Sequence, residues 1–110
     1  MSEPSRPDKA AVDSYEYRDN PEAKRWEVSD GEDVVAYSQY LLPSERIVFT
    51  HTVVEPEYEG RGIGSRLARV VLDDAVERGL RIVPVCPFIR AYVERHPEYA
   101  EHVDLPGKRT

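Results

Sequence analysis

The sequence predicts a mixed α/β domain built in layers: an antiparallel meander of strands, a strand–helix–strand crossover and a C-terminal helix. Three observations carry this prediction. Residues 25–55 contain three stretches rich in β-branched and aromatic side chains, separated by short turns. Residues 63–78 then place an apolar side chain at every third or fourth position, which is typical of an amphipathic helix. The length of 110 residues suits a single domain.

Turns bound each strand of the meander. We expect strands at Arg25–Val28, Asp33–Leu42 and Arg46–Glu55, joined by a hairpin turn at residues 29–32 and a second turn at residues 43–45. The third strand carries apolar and β-branched residues on both faces. Such a strand is expected at the centre of a sheet that is covered on both sides.

The second half of the chain supplies the crossover. A helix is predicted over Ile63–Arg78, and Gly79 is a residue type that commonly ends a helix. A short strand follows at Leu80–Cys86, where Pro84 indicates a bulge or a sheet edge. A second helix is predicted over Pro87–Arg95, with proline in its first turn. If the strands on either side of the first helix are parallel, their crossover is right-handed.

The ends of the chain are expected to be less ordered than its middle. Residues 1–20 are rich in charge and proline and show no structural period, so they are predicted to form a disordered tail, with a short extended piece near Tyr15–Arg18 as the alternative for that part. Residues 21–104 are assigned to the domain, and residues 105–110 to a frayed C-terminus.

Composition narrows the classes of function. A net charge of -6 argues against nucleic-acid binding, which needs a basic face. No apolar run approaches the roughly 20 residues that a membrane helix requires, so no membrane partner is expected. A single cysteine, Cys86, excludes an internal disulfide and predicts a reducing, cytoplasmic location.

A glycine-rich turn joins the third strand to the first helix. Gly60, Gly62 and Gly64 leave the amides from Arg61 to Ser65 without side-chain cover where the helix begins. These N–H groups and the positive end of the helix dipole predict an anion site that suits a pyrophosphate. The alternative is a tight connection in which the glycines only permit positive φ. The spacing matches neither a Walker A loop nor Gly-x-Gly-x-x-Gly.

The turn resembles the cofactor loop of the GNAT N-acetyltransferase superfamily, Arg/Gln-x-x-Gly-x-Gly/Ala, which cradles the pyrophosphate of coenzyme A. Gly62 and Gly64 match the last two fixed positions, and Ile63 and Leu67 match the apolar residues that follow. Glu59 departs from the pattern, since Arg or Gln is usual there. Three further motifs, in order, resemble a subfamily of very short GNAT-like proteins: His51-Thr52, Cys86-Pro87-Phe88 with Tyr92, and His96-Pro97-Glu98-Tyr99.

The resemblance covers roughly residues 23–103 and implies a GNAT-like mixed sheet that binds acetyl-CoA. Val53 and Val54 match the strand end whose backbone pairs with the pantetheine arm of the cofactor. The implied loop contacts are Arg61, Gly62, Ile63, Gly64 and Ser65. The second partner would be an amine acceptor, either a small molecule or a protein. The oligomeric state stays open.

Acetyl transfer to an amine needs a base for the ammonium proton and an acid for the departing thiolate. Tyr92 lies at a place similar to the tyrosine that often protonates the thiolate in this superfamily; the alternative is a packing aromatic. Cys86 precedes a helix start, so an acyl-cysteine is one hypothesis and a buried, inert thiol the other. His51 is expected to share a strand face with Phe49 and Val53, where it would be a general base or a structural histidine.

Other titratable residues are weaker candidates. Glu55 would act as a base through water, His96 would cap the second helix, and His102 has no evident partner. No metal-ligand spacing occurs, so no metal is expected. The preferred hypothesis is direct attack of an amine on acetyl-CoA. The alternatives are a non-catalytic acyl-CoA-binding or interaction module, expected because so short a chain would lack the usual walls of the acceptor groove, and a phosphate-binding regulatory domain.

Overall fold

The computed structural model of the protein describes residues 14–105. The sheet has five strands, and their order in space follows their order in the chain. The strands are β1 (Glu16–Asn20), β2 (Arg25–Asp30), β3 (Asp33–Leu41), β4 (Arg46–Val54) and β5 (Arg81–Pro84). The helices are α1 (Ile63–Glu77) and α2 (Pro87–Arg95), with 3₁₀ turns at Pro56–Tyr58 and Pro97–His102.

The topology confirms the predicted fold class. Strands β1 to β4 form an antiparallel meander, and β5 lies parallel to β4 after the crossover through α1. Strand β5 is the last in the sheet, which explains why it tolerates Pro84. No helix of the described chain is long and apolar enough to cross a membrane.

The core lies between α1 and one face of the sheet, here called the inner face. Side chains of α1 that recur at helical spacing are fully buried, among them Ile63, Leu67 and Val71. They meet inner-face residues such as Val28 and Phe49, both at 0% exposure. Each large aliphatic side chain buried in this way contributes about 1.5–3 kcal/mol of transfer free energy. Helix α2 packs beside α1. Tyr99, in the 3₁₀ turn after α2, donates a hydrogen bond from its hydroxyl to Asp73 of α1.

Within residues 14–105, no helix covers the opposite, outer face of the sheet, so the predicted cover on both sides is not found in this part of the chain. Strand β4 is fourth of five, and its outer residue Val48 is only half-buried while Val53 is 38% exposed. Neither α1 nor α2 packs against this face. β-branched residues favour a strand and pair well with neighbouring strands even where they are not deeply buried. Their presence on both faces of β4 therefore does not show that both faces are covered.

The prediction of a disordered tail through Asn20 is wrong for residues 14–20, and the alternative of an extended piece near Tyr15–Arg18 agrees with the structure. Glu16–Asn20 form edge strand β1, paired with β2, and Tyr15 is only 6% exposed. The outward-facing charged residues of an edge strand obscured its alternation in the sequence. The predictions for residues 1–13 and for residues 106–110 lie outside the described residues, and Leu105 is half-buried.

A β-bulge in β4 reverses the expected facing of His51. Tyr40 and Gln39 are neighbours on β3, but they pair with Phe49 and His51, so Thr50 is an extra residue in β4. Adjacent residues of β3 point to opposite faces, and each shares its face with its partner. Phe49 therefore points into the core, whereas His51 is exposed on the outer face. The prediction that these two residues share a face is wrong.

Candidate functional site

Strands β4 and β5 separate after Phe49. Their pairing ends where Phe49 meets Pro84, and the last backbone bond between the two segments runs from Cys86 N–H to the Phe49 carbonyl at 2.8 Å. In the part of the chain described, no strand pairs with this side of β4 from Thr50 to Val54. The separation leaves an open strand edge inside the molecule.

The backbone of Thr52 and Val54 faces this opening. The Glu55 N–H donates to the Val35 carbonyl of β3 at 2.8 Å. Hydrogen bonding to one neighbour alternates along an antiparallel strand, so Val53 also pairs with β3, opposite Tyr37. The N–H and C=O groups of the alternate residues, Thr52 and Val54, point away from β3 and into the opening. The predicted contact residue Val54 thus borders the opening, but Val53 has its backbone bonded to β3 and its side chain on the outer face.

The N-terminus of α1 lies at the mouth of the opening. Gly62 is the N-cap with φ +83°, a conformation that glycine adopts without steric cost. The first helical bond runs from the Arg66 N–H to the Gly62 carbonyl at 3.0 Å. The amides of Ile63, Gly64 and Ser65 precede that bond, so they have no partner within the helix. With the dipole of a 15-residue helix behind them, they form a cradle for an anion.

Gly64 has a different reason to be glycine. A Cβ atom at this position would lie 2.9 Å from Cζ of Phe88, closer than real Cβ contacts come. The missing side chain therefore lets the first turn of α2 approach the first turn of α1. Phe88 remains 37% exposed, and its ring forms a wall of the space between them.

These features enclose a cleft of about 330 Å³ that runs from the α1 N-terminus along β4. The structure brings five predicted residues to the cleft: Val54, Gly62, Ile63, Gly64 and Ser65. Glu59, Gly60 and three residues that the prediction did not include also line it: Thr52, Tyr58 and Phe88. Alternation along β4 from Val54 would have identified Thr52, whereas the role of Phe88 depends on the packing of two helices.

A polar network closes the β4 end of the cleft. The Cys86 thiol donates to the Thr52 hydroxyl at 3.3 Å, and Thr52 Oγ1 lies 3.1 Å from the Ser38 hydroxyl of β3. Cys86 is 2% exposed and Ser38 is 0% exposed. The Thr52 hydroxyl therefore joins two buried polar groups to the cleft, and Cys86 is a hydrogen-bonded thiol rather than an open one.

Tyr92 lines a second space, here called the arginine groove, of about 470 Å³. The groove shares Gly62 and Ser65 with the cleft and is otherwise lined by Arg66 and Arg69 of α1. The Tyr92 ring is stacked on the His96 ring at 3.9 Å, and His96 Nδ1 lies 2.8 Å from the Tyr92 carbonyl. Within residues 14–105, the Tyr92 hydroxyl itself has no hydrogen-bond partner.

The remaining candidates lie elsewhere. His51 and Glu55 are exposed, and neither lines the cleft. His102 lies in the C-terminal 3₁₀ turn, where its Nε2 atom is 3.5 Å from the Glu101 carboxylate, and it does not line the cleft. Arg61 was predicted to contribute its amide to the site, but its side chain turns to Tyr15 and away from the cleft lining.

Tyr58 fixes one side of the cleft mouth. Its hydroxyl donates to the Asp30 carboxylate at 2.6 Å. This hydrogen bond to Asp30 raises the pKa of Tyr58 to about 12, so the phenol stays neutral at physiological pH. The bond ties the loop before α1 to the β2–β3 hairpin.

Comparisons with known proteins agree with this architecture. The family model described as GCN5-related N-acetyl-transferase matches residues 25–103. Protein NATD1 of Gallus gallus is 40% identical over 67 residues, and the match covers 58% of this chain and 61% of the relative. Protein NATD1 of Mus musculus is 39% identical over the same coverage. The chain thus spans about three fifths of the length of these relatives.

The solution structure of a GCN5-like protein from Staphylococcus aureus superposes with a TM-score of 0.64 at 25% identity. The superposition covers 81% of this chain and 87% of the other. The separated strands, the glycine N-cap of α1 and the paired helices therefore occur within a shared fold, and the family model spans the whole of β2 to the C-terminal turn. The chain belongs to the GCN5-related N-acetyltransferase family.

Proposed function

We propose that the protein is an acetyl-CoA-dependent N-acetyltransferase that passes the acetyl group to an amine by direct attack. One observation carries the proposal: a single cleft joins the free amides at the α1 N-terminus to the unpaired backbone edge of β4. The first feature suits a pyrophosphate and the second suits an extended chain of amides. Coenzyme A contains both, in that order.

The residues of the cleft fit this ligand. The amides of Ile63, Gly64 and Ser65 would hold the pyrophosphate, and Arg66 beside them contributes positive charge. The N–H and C=O groups of Thr52 and Val54 would pair with the amides of the pantetheine arm as a neighbouring strand does. When bound, acetyl-CoA supplies an activated thioester that an amine can attack.

The chain's own groups favour direct transfer over an acyl-cysteine. The Cys86 thiol is 2% exposed, and its proton is donated to Thr52. A nucleophilic thiol would need both access and a base, and no imidazole lines the described cleft. Tyr92 stays the predicted acid on the family resemblance, since its hydroxyl has no hydrogen-bond partner among the described residues. The arginine groove that it lines meets the cleft at Gly62 and Ser65, beside the proposed pyrophosphate, so the acid role depends on the kinetic test given below.

Two measurements test the proposal. Isothermal titration calorimetry should show binding of coenzyme A to the purified protein, and release of free thiol from acetyl-CoA should rise when a panel of small amines and lysine peptides is added. The panel separates the two classes of acceptor, small molecule and protein, that the family resemblance allows. Absence of coenzyme A binding would sink the proposal, whatever the amine.

A second candidate function is a non-catalytic acyl-CoA-binding module in the cytoplasm. The observation in its favour is the chemistry of the cleft lining. Among the described residues that line the cleft, Glu59 is the only one with a carboxylate, and none is a histidine. Binding of coenzyme A without amine-dependent thiol release would favour this candidate. Amine-dependent release above the hydrolysis of acetyl-CoA alone would exclude it.

A further inference from the structure

Arg61 lies between two glycines whose backbone is left-handed. Gly60 has φ +82° and Gly62 has φ +83°. Glycine at these positions permits the turn but adds little stiffness, because it can adopt many other conformations at similar energy. Arg61 is the single residue between Gly60 and Gly62, so its side chain is the part of this turn that can make stabilising contacts.

The Arg61 side chain makes contacts to two tyrosines from different parts of the chain. Its guanidinium donates to the Tyr15 hydroxyl at 3.1 Å and lies 4.7 Å above the centre of the Tyr58 ring. The two tyrosine rings meet edge to face, with their centres 6.0 Å apart. A guanidinium is suited to this place because its flat face stacks on an aromatic ring while its N–H groups donate sideways.

Both tyrosines are themselves anchored. Tyr15 is 6% exposed and immediately precedes β1. Tyr58 donates to Asp30 at 2.6 Å, and its N–H donates to the Glu55 carbonyl at 2.8 Å. The side chain of Arg61 thus connects the glycine turn to the segment before β1 and, through Tyr58 and Asp30, to the β2–β3 hairpin.

We propose that Arg61 is a positioning residue, which holds the N-terminal amides of α1 in the geometry that binds the pyrophosphate of coenzyme A. The inference rests on the proposed function for its ligand. It assigns the segment that precedes β1 a role in the site, because Tyr15 holds Arg61 from outside the cleft. Arg61 itself does not line the cleft.

The competing explanation is that Arg61 turns and contacts a phosphate directly. The two explanations differ in what the Tyr15 hydroxyl should do. If Arg61 positions the turn, removing that hydroxyl weakens binding although the charge is intact. If Arg61 acts as a phosphate ligand, loss of Tyr15 as a partner frees it and does no harm.

The test uses Arg61→Lys, Arg61→Met and Tyr15→Phe, with Tyr40→Phe as the matched control. Tyr40 is, like Tyr15, a buried tyrosine with a hydrogen-bonded hydroxyl, but it donates to Asp19 at 2.6 Å, far from the cleft near the other end of β3. Affinity for coenzyme A is measured by calorimetry. Amide hydrogen exchange of residues 60–65 is measured by NMR in the ligand-free protein.

Arg61→Met should weaken binding about tenfold, the scale of one lost charge-assisted hydrogen bond. Arg61→Lys should show most of this loss, because it keeps the charge but not the planar fork. Tyr15→Phe should weaken binding and raise exchange of residues 60–65. Tyr40→Phe should lower the melting temperature without changing either quantity.

Unchanged affinity and unchanged exchange in Tyr15→Phe would overturn the proposal, even if Arg61→Met binds poorly. Full affinity in Arg61→Lys would do the same, since charge alone would then suffice. If the wild-type protein binds no coenzyme A, the proposed function fails. The exchange data still decide then: faster exchange of residues 60–65 in Arg61→Lys and Tyr15→Phe supports the positioning role, and unchanged exchange refutes it.

Discussion

The Cys86 thiol donates a hydrogen bond to the Thr52 hydroxyl across 3.3 Å, at the point where β4 and β5 separate. This bond joins the first residue before α2 to the inner face of the sheet. It gives the thiol a structural partner beside the cleft. Substitution of Cys86 can therefore test a catalytic role of the thiol separately from this structural one.

Direct transfer predicts opposite outcomes for Cys86 and Tyr92. Cys86→Ser and Cys86→Ala should retain most of the turnover rate, with Cys86→Ser the more stable because its hydroxyl can still donate to Thr52. If Tyr92 is the acid for the departing thiolate, Tyr92→Phe should lose about 10²–10⁴-fold in kcat, the usual contribution of a positioned general acid, with little change in affinity for coenzyme A. Steady-state kinetics and calorimetry measure both.

Mass spectrometry of the protein after incubation with acetyl-CoA can contradict direct transfer. An acetyl adduct on Cys86, formed with acetyl-CoA alone and discharged by an amine, would contradict direct transfer. Inactive Cys86→Ala together with active Tyr92→Phe would lead to the same conclusion.

The Gly62 backbone should be required for binding more than for folding. Gly62 and Gly79 have similar φ values, +83° and +74°, and a Cβ atom at either would meet nothing within 4 Å. Gly62→Ala and Gly79→Ala should therefore cost a similar strain of about 1–2 kcal/mol in unfolding free energy. Only Gly62→Ala should weaken binding of coenzyme A, because it displaces the amides of the cradle. Equal affinities in the two folded variants would argue against the anion site.

Glu59 should oppose the phosphate charge that the cleft is proposed to hold. It lines the cleft where this family usually has Arg or Gln. Glu59→Gln should tighten binding of coenzyme A about two- to fivefold, the scale of an exposed charge interaction, and the gain should shrink as salt is added. Glu57→Gln is the matched control, since Glu57 belongs to the same loop but does not line the cleft. An equal gain in both variants would indicate a general effect of net charge.

The tyrosine–aspartate bonds predict a loss of stability at alkaline pH. Burial, and then the bond to Asp19, raises the pKa of Tyr40 above its usual 10.0, and the bond to Asp30 raises that of Tyr58 to about 12. Because the folded state holds these protons more tightly than the unfolded state, their stabilisation is complete below pH 10 and declines as the pH rises above it. Chemical unfolding from pH 8 to pH 12 should show this decline. Tyr40→Phe should show a smaller decline, and an unchanged slope would contradict the assignment.

Local patterns in the sequence predicted most of the fold. The bounds of α2 and the start of α1 agree with the structure, because proline, glycine and helical spacing are signals within one element. The glycine cradle could be predicted for the same reason.

The remaining parts of the site depend on contacts between distant segments. Arg61 meets Tyr15 across 46 positions of sequence, and Phe88 meets Gly64 through the packing of two helices. Neither contact leaves a periodic signal. Strand β1 was assigned to the tail, with only a short extended piece as an alternative, because its solvent-facing residues are charged. The predicted facing of His51 was wrong because a bulge cannot be seen in a count of alternating residues.

The bulge at Thr50 changes which residues of β4 face the cleft. With Thr50 looped out of the pairing, Thr52 and Val54 present hydroxyl and methyl groups to the cleft. The same sequence paired without the bulge would turn His51 inward and make the wall of the cleft ionisable. A chain that lacked Thr50 altogether would pair regularly and keep the present arrangement. The pairing register of β4 with β3, rather than the choice of side chain, determines whether this cleft has a neutral or a titratable wall.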